Sequence, residues 1–206
     1  QKATESRLQS LRLQMNPHFL FNALNSIQQM ILANEEMVAT KYLSRFSKLL
    51  RSILIHSDKE SISLREELDI LKLYVELESV RFKEAFTYTI DCDEDIDTDE
   101  VKIPTLLIQP FVENAIWHGI MPSEKNGQVI LNFHKLNDGT VMIEICDNGV
   151  GIELPLKEKK NGHQSKGMKL ILERLQLLDP AANAFFTIQN TAPGTRIRLQ
   201  LTPKMY

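Results

Sequence analysis

Val141-Met-Ile-Glu-Ile-Cys-Asp147-Asn-Gly-Val-Gly151 is the stretch whose reading decides the fold. Val141, Ile143 and Ile145 recur every second residue. Period two with one polar face marks a strand in a sheet that is covered on one side. The strand ends on a carboxylate, Asp147, and two glycines follow. A carboxylate at a strand end beside side-chain-free backbone offers one acceptor next to a surface over which a flat ring can slide. A ligand with an amino donor, such as adenine, suits that arrangement. Asp-Asn-Gly is equally a good turn sequence, so the stretch taken alone also reads as a plain turn.

The same alternation recurs on both sides of this strand. Phe86, Tyr88 and Ile90 alternate with Thr87, Thr89 and Asp91, and Val129, Leu131 and Phe133 form another inward row. Ile197, Leu199 and Leu201 alternate with Arg196, Arg198 and Gln200. Helical segments are predicted near 104–119 and 167–178, and a Lys-rich loop over 152–166. The second part of the chain therefore reads as an α/β sandwich, one mixed sheet under a layer of helices.

Residues 1–57 hold no Gly and a single Pro, and read as helical throughout. Leu8, Leu11, Met15 and His18 share one stripe. Leu20, Leu24, Ile27 and Ile31 share another, rotated from the first. Pro17 lies between them, where its ring crowds the turn carrying the Leu13 carbonyl and a kink or break is expected. Asn34-Glu35-Glu36 reads as a turn. The next helix carries Tyr42, Leu43, Phe46, Leu49, Leu50, Ile53 and Leu54 on its apolar face. Two helices with a short connection predict an antiparallel hairpin. That hairpin is too thin to bury both stripes alone, so pairing with a second copy in a four-helix dimer core is expected. The linker is read at His56–Lys59, dividing the chain into units 1–58 and 59–206. Ser63-Leu-Arg-Glu66 is a capping box. It opens a helix predicted to run to about Lys83, with Leu68, Leu71, Val75 and Phe82 inward.

Composition narrows the function classes. The 206 residues carry a net charge of −3 with 43% hydrophobic and 25% charged residues, as in an ordinary globular protein. No basic block offers the clustered Lys and Arg that a nucleic-acid surface needs. Cys92 and Cys146 lie far apart without metal-ligand spacing. No stretch approaches the roughly 20 apolar residues of a membrane span. The chain opens at Gln1 in a helical pattern, so it is read as a soluble fragment whose sensor or membrane-anchored part lies upstream. The expected location is the cytoplasmic side of the membrane.

Three further stretches could carry chemistry. In Gln109-Pro-Phe-Val-Glu-Asn-Ala-Ile-Trp-His-Gly119, Asn114 and His118 are four residues apart and share a helix face, with Glu113 beside them. An amide oxygen is a hard ligand suited to Mg²⁺, and a nearby His can meet phosphate. An amphipathic helix with Asn and His on its wet side would look the same. Trp117 reads as packing or a rim contact. In Ser165-Lys-Gly167-Met-Lys-Leu170 the free N–H groups of a helix start favour phosphate. Pro193-Gly-Thr195 opens the last strand.

Taken in order, these stretches from about 100 to 202 resemble the ATP-binding domain shared by histidine kinases, gyrase, Hsp90 and MutL, the Bergerat-type fold. The resemblance implies ATP with Mg²⁺ as cofactors. It implies that Asn114 holds the metal, Asp147 takes the adenine amino group, Gly149 and Gly151 shape the pocket, and Thr195 contributes near the adenine. Gly167 and His118 would lie toward the phosphates. Gln14-Met-Asn-Pro-His-Phe-Leu-Phe-Asn-Ala-Leu-Asn-Ser-Ile27 is similar to the phosphoacceptor segment of histidine kinases related to LytS and YehU. Leu64-Arg-Glu-Glu-Leu68, Tyr74-Val-Glu-Leu-Glu78 and Arg81-Phe82 resemble the same subfamily. The implied activity is autophosphorylation of His18 and onward transfer to an aspartate of a response-regulator receiver domain, by a homodimer. Neutral imidazole is a competent nucleophile near pH 7.

Two positions depart from the commoner pattern. Phe19 follows His18 where an acidic base is usual, leaving Glu113 as a candidate base or as a group that orients Mg²⁺ water or His118. Ser165 stands where the first Gly of a Gly-x-Gly box is usual, which adds a Cβ where backbone and phosphate approach. A degenerate kinase acting as a dimeric scaffold is the competing reading. An ATP-driven clamp is the third, and the His18 motif argues against it.

Overall fold

The computed structural model describes residues 17–123, 126–137, 139–151 and 186–201, with the side chains of Pro17, His18 and Phe186 excepted. The fold is α+β. Its helices are α1 (Pro17–Leu32), α2 (Glu36–His56), α3 (Leu64–Arg81) and α4 (Gln109–Asn114), the last continued by a π-helical segment, Ala115–Ile120. Its strands are β1 (Ser61–Ser63), β2 (Phe86–Cys92), β3 (Lys102–Pro104), β4 (Gly127–Lys135), β5 (Val141–Asp147), β6 (Phe186–Asn190) and β7 (Thr195–Leu201). The predicted helix at 167–178 and loop at 152–166 lie outside the described residues, as do Leu8, Leu11, Leu13 and Met15.

The described part of α1 opens at Pro17, and the turn before it, where the kink is expected, lies outside the described residues. The turn after α1 passes through Asn34 at φ 61°, a left-handed conformation that Asn tolerates. In α2 the buried residues are Ala39, Tyr42, Phe46, Leu49 and Ile53, one stripe at helical spacing. Leu43 and Leu54, expected on that face, are exposed. In α1 the expected stripe is likewise only part-covered. Phe19, Ala23 and Ser26 are buried, whereas Leu24 and Ile31 are 54% and 56% exposed. The cause is aromatic: the Phe19 ring packs 5.2 Å from Tyr74 and 6.0 Å from Phe46, which fixes the rotation of α1.

Helix α3 begins as predicted. The Ser63 hydroxyl accepts from the Glu66 N–H, and the Glu66 carboxylate accepts from the Ser63 N–H at 2.8 Å. It ends at Arg81 rather than at about Lys83, because Lys83 and Glu84 take left-handed backbone. Its buried residues point in several directions, since it lies between α2 and the rest of the core. Buried Glu67 accepts from the N–H groups of Leu106 and Ile108 at 3.0 and 3.1 Å, tying α3 to the segment that leads into α4. That segment is a turn with Leu106 at φ 54°, so the helix predicted from 104 starts at Gln109.

The main sheet has five strands in the order β2-β4-β5-β7-β6. It is mixed: β2 runs parallel to β4, and the other pairs are antiparallel. Three predicted inward rows are buried: Val129, Leu131 and Phe133, then Val141, Ile143 and Ile145, then Ile197, Leu199 and Leu201. In β2, at the sheet edge, Phe86 is buried but Tyr88 and Ile90 are half-buried. The opposite face is polar, with Glu144 accepting from Arg198 of the neighbouring strand at 2.7 Å. The short strands β1 and β3 pair separately.

Candidate nucleotide site

Strand β5 is the middle strand, and Asp147 is its last residue. Register places Asp147 opposite Thr195, the first residue of β7. Two residues far apart in sequence thus become cross-strand neighbours, and both are buried. The Asp147 Oδ1 accepts from the Gly149 N–H at 2.9 Å. Burial raises the Asp147 pKa, and hydrogen bonds from the Gly149 N–H, the Thr195 N–H and the Thr195 hydroxyl oppose that rise. Asp147 is thus a buried carboxylate at the strand end, facing Thr195 in register and bonded to the Gly149 N–H, where an amino donor could be met.

Backbone packing shapes the rest. A Cβ built on Gly149 would lie 2.1 Å from the Gly119 carbonyl, and one on Gly119 would lie 2.8 Å from Asp147 Oδ1. The Val150 N–H donates to the Gly119 carbonyl at 2.9 Å. The π-helical segment is therefore seated directly on the Asp147–Gly149 turn, and only glycines permit that approach. Gly151 has φ 79°, as its place in the turn requires. Gly194 has φ 98°, and a Cβ there would meet the Asp147 carbonyl at 1.8 Å. Asn148 turns away from this surface: its side chain accepts from the Gln128 N–H at 2.7 Å and donates to the Asn126 carbonyl at 2.9 Å.

Asn114 ends the α-helical part of this element, half-buried, and His118 is exposed within the π-helical part. The Met121 N–H reaches back to the Ile116 carbonyl at 2.9 Å, the wider turn of a π-helix. Such turns recur at functional sites. Glu113 is half-buried and accepts from Gln109 Nε2 at 2.9 Å. Its charge is felt by Tyr74 and Glu78 of α3. Among the described residues no group of three or more His, Cys, Asp or Glu side chains could hold a metal ion. An ion at Asn114 would share its coordination with phosphate oxygens, the usual manner for Mg²⁺.

The structure thus joins Asp147, Gly149 and Thr195 into one cradle, and seats the helix of Asn114 and His118 against it. Gly167 lies outside the described residues. His18 is the second residue of α1, with its side chain likewise outside them. Sequence reading missed Gly119 and Gly194 as contact glycines, although each sat inside a motif already singled out. It also missed Glu78 and Arg81. Glu78 is fully buried, with a pKa pushed up to about 7 by burial, and Arg81 pairs with it at 3.3 Å.

A family profile described as "Histidine kinase" matches residues 6–86. The chain is 35% identical over 199 residues to the sensor histidine kinase YpdA of Escherichia coli strain K12, covering 95% of this chain and 34% of that protein. It is 35% identical to the sensor histidine kinase YesM of Bacillus subtilis strain 168, covering 84% and 29%. It is 31% identical to the sensor protein LytS of Oceanobacillus iheyensis, covering 96% and 34%. The chain spans about a third of the length of these relatives. Among solved structures, the histidine kinase domain of the Erythrobacter litoralis EL346 blue-light activated histidine kinase shares the fold. The TM-score is 0.55 at 16% identity, over 88% of this chain and 90% of that one.

Proposed function

We propose, on the premise that this chain belongs to the family of LytS-type sensor histidine kinases, that it binds ATP with Mg²⁺ and phosphorylates His18. The observation that carries this reading is the cradle at Asp147, a buried carboxylate opposite buried Thr195 in register, beside a floor of bare backbone. Asp147 takes the adenine amino group, with Thr195 beside it. Gly149 and Gly151 keep the floor free of side chains. Asn114 holds Mg²⁺, and His118 and Gly167 meet the phosphates. Bound ATP supplies the phosphoryl group. What the residues contribute is position and charge compensation, the larger part of catalysis in phosphoryl transfer. Phe19 follows His18, so no acidic base stands directly after it in sequence. Of the two roles open to Glu113, its hydrogen bond from Gln109 supports the orienting one.

Phe21, Leu24, Ile31, Leu32, Met37 and Leu43 are exposed on α1 and α2. This supports a homodimer in which two pairs of helices form a four-helix core. We divide the chain into phosphoacceptor helices over 1–58 and an ATP-binding unit over 59–206. The phosphoryl group then passes to an aspartate on a response-regulator receiver domain. In the longer protein a sensor region would place this unit on the cytoplasmic side of a membrane. Among the described residues no helix is long and apolar enough to cross one.

Incubation with labelled ATP and Mg²⁺ tests the reading. Acid-labile, base-stable label that disappears in His18→Gln is expected. Absence of label together with absence of ATP affinity would select the dimeric scaffold instead.

A further inference from the structure

Between α3 and the π-helical segment lies a small cluster that the phosphoryl-transfer reading does not use. Glu78 is fully buried, and both its carboxylate oxygens lie 3.3–3.4 Å from Arg81 Nη1. The Arg81 guanidinium lies 4.4 Å from the centre of the Trp117 ring and 4.8 Å from that of Phe82. Phe82 meets Trp117 edge to face at 5.2 Å. Trp117 is thus held by a cation over its ring and by a second ring against it, and its indole also hydrogen-bonds toward Glu78. Trp117 sits one turn after Asn114, directly before His118 and Gly119. A side chain so held fixes the rotation of the wide turn that presents them.

We propose that Glu78 and Arg81 are positioning residues for the nucleotide: by clamping Trp117 they set the rotation of the helix that carries Asn114. The proposal rests on the reading that Asn114 holds the Mg²⁺ of bound ATP. Nothing in it requires Arg81 to touch the nucleotide. Arg suits the role better than Lys, because a planar guanidinium stacks on a ring while it pairs with a carboxylate. The cluster also reaches α1. Tyr74, one turn before Glu78 on α3, is fully buried, feels the charges of Glu78 and Glu113, and packs against Phe19, the neighbour of His18. The seating of the phosphoacceptor helix therefore bears on the same strut that sets Asn114.

The test measures ATP affinity of the whole chain with Mg²⁺ and with EDTA, for wild type, Arg81→Ala, Arg81→Lys and Glu78→Gln. Trp117 is the single tryptophan, so its emission reports the clamp without labelling. We expect Arg81→Ala to weaken binding about tenfold in Mg²⁺, the scale of a desolvated cation–π contact, and to leave the EDTA affinity unchanged. Arg81→Lys should fall between it and wild type, and Trp117 emission should shift in the order of the losses. Thermal midpoints well above the assay temperature show that the variants fold, and Arg65→Ala, an exposed cation paired with Asp99, serves as control. Equal losses with and without Mg²⁺, or no loss in Arg81→Ala and Glu78→Gln, would overturn the proposal while leaving the nucleotide site standing. A wild type that binds no ATP in either condition would remove the reading beneath it, and the clamp with it.

Discussion

Along β4, β5 and β7 the inward apolar rows, from Val129 through Leu201, are buried within the chain. Along α1 and α2 the apolar residues divide: Phe19, Ala23, Tyr42 and Phe46 are buried, while Phe21, Leu24, Ile31 and Leu43 face outward. Both regions have clear periodicity. A sheet face closed by helices of the same chain completes its own burial. A pair of helices leaning on a third completes only half, and the other half is surface of a kind that monomeric proteins seldom leave bare. Among the described residues the sheet region completes its own burial, and the helical region leaves apolar surface that the proposed dimer would cover.

The strongest way to break this contrast is a cavity in the sheet region. Leu131→Ala should cost about 2–5 kcal/mol, the range for a buried leucine, and urea unfolding measures it. If the loss were under about 0.5 kcal/mol, the range of a surface substitution, the sheet would not be the self-sufficient half. Next comes Glu78, at the seam between the regions. Its carboxyl is held at about 7, as burial and the Glu113 charge raise it against Arg81 and the Trp117 indole, which lower it. A folded-state pKa above the unfolded value means that the folded chain binds the extra proton. The stabilisation is complete below the ordinary carboxylate pKa and is lost as pH rises through about 7. Glu78→Gln should flatten the dependence of unfolding free energy on pH across that window, read from denaturant series at several pH values. An unchanged slope would mean that the seam is wetter than its geometry.

Smaller still is Ser63→Ala. Loss of the capping box should cost about 1 kcal/mol and lower the thermal midpoint by a few degrees. The least effect on the isolated chain belongs to Leu24→Ser, an exposed site expected to change monomer stability by no more than about 0.5 kcal/mol. Its effect should appear instead as a weakened, concentration-dependent association in sedimentation. Identical sedimentation of variant and wild type would take this side chain out of the dimer contact.

Much of this was legible beforehand, for reasons that differ by residue. The strands were readable because burial on one sheet face imposes period two. Asp147 was readable only in company: alone its stretch is a good turn sequence, and the order in which it follows the Asn114 stretch and precedes Gly194-Thr195 singles it out. Ser63 and Glu66 were readable because their bonds are local. The rotation of α1 was not, since it depends on Phe19 finding Tyr74 and Phe46, and periodicity alone cannot rank one stripe over another. The π-helical turn at Ala115–Ile120 leaves no compositional trace, and Trp117 therefore looked like ordinary packing. Arg81 and Glu78 are three residues apart on a helix, and nothing in that spacing tells that α3 is buried on several sides and encloses the carboxylate.

The strand order has a consequence for how the chain acquires its pocket. Strands β4 and β5 are consecutive and antiparallel, so they can pair after closing one short loop. Strand β5 meets β7 only across the long connection between Asp147 and Thr195. Loop closure of that length comes late, since its entropy must be met before the new contacts reward it. Asp147 is thus delivered early, at the end of a hairpin, and waits for Thr195. On the proposed function, recognition of a nucleotide by both residues would check that the last strand has arrived in register, since a slip of one residue in β7 would turn the threonine to the wrong face of the sheet.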